Sequence, residues 1–164
     1  MKIITQLLLL FIIGCTDSKS KSDNQILDFG SFKIETPGSW TKVKVKGIDS
    51  YVGQIAIDTK DTLYFDLGWY SNTLSEPLIV DSRTGIDPDK YRKNQVLSDT
   101  IDGRRAKIIF PIQSGYGTTG IYIDSLLKAG SVNDKFNLFG TNLNPANEKV
   151  LLQALKTLKF HKPK

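Results

Sequence analysis

Alternation of apolar and polar residues dominates the chain after its first 24 residues. Phe32 and Ile34 alternate with charged residues, and the run from Leu63 to Trp69 has an apolar side chain at every second position. Because successive side chains of a strand point to opposite faces, each such segment predicts a strand with one buried face. The same pattern predicts further strands at Val43 and Val45, at Ile55 and Ile57, at Ile121 and Ile123, and over Phe136–Gly140.

A turn signal separates two of these segments. Asp102-Gly103 lies between "QVLSDTI" and "RRAKIIFPI". The pair predicts a type I′ hairpin, because both central residues of that turn need positive φ angles. "TPGSW" predicts another turn, at Pro37 and Gly38.

One amphipathic helix is predicted near the end of the chain. Asn144 can cap it and Pro145 suits its first turn. Its apolar stripe consists of Leu151, Ala154, Leu155 and Leu158. "TLKF" then predicts a short final strand, and a second short helix is predicted over Asp87–Asn94.

Ser114–Gly120, "SGYGTTG", has the glycine spacing of a dinucleotide-binding turn. Such a turn needs a helix directly after it, whereas Ile121 and Tyr122 favour a strand. We therefore predict a connection between antiparallel strands and no nucleotide partner. Tyr116, at the tip of this loop, is a candidate contact residue, and the alternative is that it folds back on the sheet.

The N-terminus has the anatomy of a secretory signal. Lys2 precedes an apolar run over residues 7–13, which is shorter than the roughly 20 residues that span a bilayer. Ile12-Ile13-Gly14-Cys15 resembles a bacterial lipobox, which implies that Cys15 carries a diacylglycerol. Several acyl chains make a stable membrane anchor. The alternative is a buried cysteine in an N-terminal strand.

The predicted organisation is a signal peptide over residues 1–14, a lipidated cysteine and flexible tether over 15–24, and a single domain over 25–164. The tether is polar throughout, "TDSKSKSDN". Thr16, rather than an aspartate, follows the cysteine. By resemblance to the sorting rule of enteric bacteria, this residue favours the outer membrane of the cell envelope, without indicating which side the domain faces.

Charge and residue counts exclude several classes of function. The 164 residues carry a net charge of +5, of which Lys2 contributes one, and the mild excess predicts no nucleic-acid partner. One cysteine and one histidine cannot form a Cys/His zinc cluster. His161 lies at the chain end, a poor place for the base of a catalytic triad. No catalytic residue, metal or cofactor is predicted.

Several charged clusters have two interpretations. Lys42, Lys44 and Lys46 suit either an anionic surface or the protection of an edge strand, and we favour edge protection. Paired aspartates suit either calcium or turns, and we favour turns; they are Asp58 with Asp61, and Asp87 with Asp89. Arg104 and Arg105 are neighbours on a strand, so they are predicted to point to opposite faces.

The aromatic pair Trp69-Tyr70 follows the apolar face of Leu63–Trp69. Trp69 continues that face, so it is predicted to join the core rather than to form a ligand platform. Tyr70 points the other way and is a candidate for a binding surface.

Three stretches together resemble the Mog1/PsbP-like domain: "FKIETPGSW", "DTIDGRRAKIIFP" and "LLQALKTLKF". The resemblance covers about residues 28–160. It implies an α+β fold in which an antiparallel β-sheet is flanked by helices, an α/β/α sandwich. Members of that family mostly act by binding, and no catalytic residue carries over.

The sequence therefore predicts a membrane-anchored envelope lipoprotein that acts as a non-catalytic binding or accessory module for a partner protein. Tyr70 and Tyr116 are its candidate contact residues. One alternative is a chaperone-like holder of apolar segments, which needs an exposed apolar groove. The other is a hydrolase acting on envelope glycan or lipid, which needs two acidic residues about 5–9 Å apart in a cleft.

Overall fold

The computed structural model describes residues 23–48, 50–74, 93–129 and 132–161, and these ranges contain ten strands and one helix. All pairings between neighbouring strands are antiparallel. The elements are β1 (Asn24–Asp28), β2 (Phe32–Pro37), β3 (Thr41–Val43), β4 (Tyr51–Ala56), β5 (Thr62–Gly68), β6 (Asn94–Ile101), β7 (Arg104–Pro111), β8 (Thr118–Ala129), β9 (Val132–Thr141), α1 (Pro145–Leu155) and β10 (Lys159–Phe160).

The strands form a small and a large sheet. The small sheet has the order β1-β2-β10, and the large sheet has the order β3-β4-β5-β9-β8-β7-β6. Phe32 of the small sheet lies 5.0 Å from Phe65 and 4.9 Å from Phe136 of the large sheet, measured between ring centroids. Helix α1 packs beside the small sheet and buries Leu151 and Leu155 in the same core. One face of the large sheet is therefore covered by the small sheet and α1.

The predicted α+β fold, an antiparallel sheet flanked by helices in an α/β/α sandwich, is wrong. The structure is mostly β, and its described residues contain a single helix. The layer facing the large sheet is itself largely a sheet. The flanking helices were implied by the family resemblance, whereas the chain has one good helical stripe and much period-two alternation. Period-two segments such as Phe32–Pro37 bury one face only as strands.

The Asp102-Gly103 hairpin is confirmed. Strands β6 and β7 pair from Asn94 opposite Pro111 to Ile101 opposite Arg104. Both turn residues have positive φ, 51° and 75°, as a type I′ turn requires.

Two further predictions based on local signals are confirmed. Helix α1 begins at Pro145, and the Asn144 side chain accepts a hydrogen bond from the Ala146 N–H at 2.9 Å. The glycine-rich segment 114–120 joins β7 to β8, which are antiparallel, so it is the predicted connection between strands.

Strand β3 differs from its prediction. Val43 and Val45 were expected to be half-buried, but every side chain of β3 is exposed and the strand ends at Val43. The reason is that β3 is an edge strand of the large sheet. Lys42 lies on this edge strand, as edge protection requires, whereas Lys44 and Lys46 follow the end of β3 and do not share its face.

Some predictions lie outside the described ranges. These are the signal peptide, Cys15 and the tether up to residue 22, together with residues 87–92 of the second predicted helix. Asn94, the last residue of that predicted helix, begins strand β6. Within the described ranges, no helix has the length and apolarity needed to cross a membrane.

Asp102 links the hairpin to the last strand. Its Oδ2 accepts from the Phe160 N–H at 3.0 Å and pairs with Arg104 at 2.9 Å, and Lys159 lies 3.2 Å from Oδ1. The Phe160 N–H, followed by Lys159 and Arg104, holds the pKa of Asp102 below its ordinary value of 3.8. The ionised carboxylate therefore stabilises the fold.

We predict that Asp102→Asn lowers the free energy of unfolding by about 1 kcal/mol at pH 7. Asparagine accepts the positive φ, so the turn is retained. The lowered pKa gives a contribution that is present above pH 3.8 and is lost as pH falls through the folded-state pKa. Urea unfolding between pH 7 and pH 3 should show the two proteins converging at the acid end. A gap that stays constant with pH would contradict this assignment.

Candidate functional site

The outer face of the large sheet, opposite the core, carries two rows of paired side chains. Tyr122 and Ile109 on this face are buried, whereas Tyr64 is 46% exposed. Tyr122 also has a raised pKa, because burial and then the charge of Asp124 disfavour its ionised form. One row contains Val52, Asp66, Asn137 and Tyr122, and the other contains Gln54, Tyr64, Phe139 and Gly120.

A groove of about 250 Å³ lies on this face over β4, β5 and β9. We call it the Asp66 groove. Its lining residues include Val45, Val52, Tyr64, Asp66, Asn72 and Phe139. It therefore combines apolar walls with one carboxylate.

Asp66 is unusual because its backbone N–H and carbonyl both form hydrogen bonds, whereas its side chain forms none with the described residues. The Asp66 N–H donates to Asn137 Oδ1 at 3.1 Å, and its carbonyl accepts from Ser71 Oγ at 2.6 Å. Oδ1 of the carboxylate is buried and has no hydrogen-bond partner. Nor does any ion pair of Asp66 occur within the described part of the chain. Removing a carboxylate oxygen from water without a compensating partner is costly.

Asn137 holds the rim of the groove in place. Its side chain is buried on β9, where Oδ1 accepts from Asp66 and Nδ2 donates to the Asn72 carbonyl at 3.1 Å. Ser71 is also buried and bonds back to β5. These contacts fix residues 71–72 beside the groove.

Two aromatic rings form one wall. Tyr64 and Phe139 are directly paired across β5 and β9, with ring centroids 6.0 Å apart and planes inclined by 34°. The faces of such rings attract cations as well as apolar groups.

Trp69 was predicted to lie in the core, and this prediction is wrong. Strand β5 ends at Gly68, one residue too early for the alternation to bury Trp69, which is 51% exposed. Trp69 instead packs on Tyr70, with ring centroids 5.2 Å apart. Tyr70 is 71% exposed and lies two residues before Asn72, so it stands beside the groove without lining it.

Tyr116 is also exposed, at 52%, with the ammonium of Lys93 4.8 Å from its ring centroid. The structure does not bring it near Tyr70. Gly68 pairs with Lys135 in the first half of β9, and Thr118 pairs with Thr141 at the end of that strand. At about 3.4 Å per residue, these two positions are separated by about 20 Å. The two predicted contact residues therefore belong to different regions of the surface.

The aspartates near helix α1 have structural roles. Asn147 Nδ2 donates to Asp58 and to Asp61 at 2.7 Å each, and Asp61 also accepts from the Asn144 N–H at 2.8 Å. The N–H groups of Asp61 and Lys60 hold the pKa of Asp58 below its ordinary value. A general acid requires the opposite direction. These contacts bear out the turn interpretation for Asp58 and Asp61, and the described residues contain no group of acids, histidines or cysteines able to hold a metal ion.

Two other hollows are less suited to binding. One, of about 300 Å³, lies between β2 and α1, where Glu35 accepts from Asn24 at 2.9 Å and Thr157 donates to the Ala154 carbonyl at 2.7 Å. The hydroxyl of Thr36 there has no partner, but it is uncharged. The other, of about 210 Å³, carries charges of both signs on the outer face; they belong to Asp99, Arg105, Lys107 and Asp124.

Arg104 and Arg105 point apart, as predicted. Arg104 lies over the Phe160 ring at 5.1 Å, and Arg105 is exposed on the outer face.

Asp66 was not among the candidate residues predicted from the sequence. One local signal was available, because Tyr64 and Asp66 are two positions apart on a strand and so share its polar face. The absence of a partner for Asp66 depends on which residues of β4 and β9 lie beside it.

No protein-family model and no curated protein matches the sequence. The resemblance to Mog1/PsbP-like domains therefore stays a prediction, and the candidate site stands on its geometry.

Proposed function

We propose that the chain is a lipid-anchored envelope protein that acts as a non-catalytic binding module for a partner protein, and that the partner contacts the Asp66 groove. The observation that carries this proposal is the buried, unpartnered Oδ1 of Asp66 in a groove with apolar walls. A ligand would satisfy the carboxylate and cover Tyr64 at the same time.

The apolar walls also fit the chaperone-like alternative, a holder of apolar segments. A purely apolar ligand, however, would leave Asp66 buried and unpaired, which is unfavourable. Binding of a polar partner is therefore the better fit. The hydrolase alternative gains no support from Asp58 and Asp61, whose oxygens are engaged in turn and cap contacts.

The lipid anchor is inferred from the resemblance of the sequence around Cys15 to a lipobox. A tethered domain meets partners at the same membrane at a high effective concentration, which compensates for a small contact area. The proposed location is the outer membrane, as Thr16 favours.

We predict that a photo-crosslinking residue in place of Tyr64 or Tyr70 gives one discrete protein adduct in living cells. Both positions are exposed in or beside the groove, so the probe is accepted without disturbing the core. Adducts would be detected by a size shift on gels and identified by mass spectrometry. Cys15→Ala should remove the anchor and reduce the adduct yield.

The matched control is the same probe at Ile26, which is exposed on the small sheet. A second probe at Tyr116 tests the far end of the large sheet. Equal adducts at Ile26 and Tyr64 would contradict the proposed site. Absence of any adduct at both Tyr64 and Tyr70 would contradict the binding function.

A further inference from the structure

We infer, resting on the proposed function, that the Asp66 groove binds a single positively charged side chain, lysine or arginine, carried by the partner polypeptide and flanked by apolar residues. The juxtaposition that points to this ligand is a carboxylate with an unpartnered oxygen in a groove that two aromatic rings and two valines also line.

The negative charge of Asp66 favours a positively charged ligand. Asp66 lacks both a hydrogen-bond donor for its buried Oδ1 and an ion-pair partner among the described residues. Leaving such a group unpaired is the costly situation, and supplying a cation relieves it. A ligand ammonium or guanidinium would therefore gain more here than at a solvated surface carboxylate.

The walls of the groove also suit a cationic side chain. Tyr64 and Phe139 present neighbouring rings on the same face as Asp66, one pairing step along the strands. A cation held at the carboxylate lies beside these rings, where cation–π attraction contributes. The aliphatic stem of lysine or arginine is suited to Val45 and Val52.

Size and net charge define the rest of the ligand. About 250 Å³ is smaller than the range of roughly 300–1,000 Å³ that is usual for small-molecule pockets, and it suits one side chain. The chain as a whole carries +5, so a densely basic segment or a free polyamine is repelled beyond the groove. One cation within an apolar segment fits both the local and the overall charge.

Lys135 is a cation of this chain on the same sheet face as Asp66. It is paired with Gly68, two positions along β5 from Asp66, and so lies diagonally from Asp66 on the same face. It forms no ion pair with Asp66 in the structure.

The test uses the lipidated protein in detergent micelles and three dye-labelled pentapeptides. The peptides differ only at the central residue, which is lysine, arginine or norleucine, and they carry leucine on either side. Fluorescence anisotropy should show the lysine or the arginine peptide binding about tenfold more tightly than the norleucine peptide. Asp66→Asn should remove that difference and leave the norleucine peptide unchanged.

Two further variants test whether the preference for a cation depends on residues of the groove. Asp124→Asn removes an exposed carboxylate from the same sheet face outside the groove, and it should preserve the preference for a cation. Tyr64→Ser removes an aromatic wall from an exposed position and should weaken the lysine peptide about threefold to tenfold. Thermal unfolding of each variant checks that it is folded.

Equal binding of all three peptides, or an undiminished preference in Asp66→Asn, would overturn the inference. Spermidine that binds more tightly than every peptide would overturn the choice of a polypeptide ligand. The proposed function and this inference can be told apart. An adduct at Tyr64 in cells that Asp66→Asn leaves unchanged would support the binding module and contradict a cationic ligand.

Discussion

Phe32→Ala is expected to destabilise the protein by about 3–5 kcal/mol, the largest effect that we predict for a single side chain. Phe32 is fully buried in the small sheet. Its ring centroid lies within 5.0 Å of three other rings, those of Phe29, Phe65 and Phe136. The substitution leaves a cavity between the sheets, because two sheets held apart by the surrounding side chains cannot collapse onto it.

That loss is a large fraction of the 5–15 kcal/mol typical of a native domain. Urea denaturation should show a clear fall in midpoint with little change in slope. Ile26→Ala in the neighbouring strand is the control, because Ile26 is 65% exposed and its loss should cost less than about 0.5 kcal/mol. Similar costs for the two variants would mean that the sheets do not pack through Phe32.

Local signals predicted individual turns, strands and the helix, but not how the elements are arranged in layers. The Asp102-Gly103 turn and the Asn144 cap were identified because the residues that determine them are adjacent in sequence. Trp69 was misplaced because nothing local marks the end of β5 at Gly68. The second sheet was missed because the pairing of β10 with β2 joins residues far apart in the chain, and because a three-stranded layer can occupy the place that a helix takes elsewhere.

The candidate site was even less accessible from the sequence. Its central contact joins Asp66 to Asn137, 71 residues away. A carboxylate without a hydrogen-bond partner cannot be recognised from the sequence, because its lack of a partner depends on which residues the fold places beside it. The candidates that the sequence did offer, Tyr70 and Tyr116, were selected as exposed aromatics, and only Tyr70 lies beside the groove.

Gly120 belongs to the glycine-rich segment Ser114–Gly120 and also lies next to a residue that lines the Asp66 groove. It is the last glycine of the dinucleotide-like spacing, and in the structure it lies in β8, directly opposite Phe139. A Cβ added there would lie 2.5 Å from the Leu138 carbonyl oxygen, 2.5 Å from Phe139 Cβ and 2.8 Å from Phe139 Cα. The close approach of β8 and β9 therefore requires a glycine at position 120, which gives the last glycine of the motif a structural cause.

We predict that Gly120→Ala costs about 2–3 kcal/mol and also weakens ligand binding at the groove. Most of the atoms that a methyl group would meet belong to the backbone of β9, which is held between β5 and β8, so they cannot move aside without disturbing both pairings. Phe139 is the residue displaced, and it forms a wall of the Asp66 groove. Urea unfolding and anisotropy with the lysine peptide measure the two effects.

Gly30→Ala is the control that separates steric contact from backbone conformation. Gly30 has a φ of 81°, but a Cβ there meets no atom within 4 Å, so its substitution should cost only about 1–2 kcal/mol. It should leave peptide binding unchanged, because Gly30 does not line the groove. If Gly120→Ala proved no more harmful than Gly30→Ala, close approach would not be the reason for the glycine. If it destabilised the fold yet bound the lysine peptide normally, Phe139 would not form a wall of the binding site.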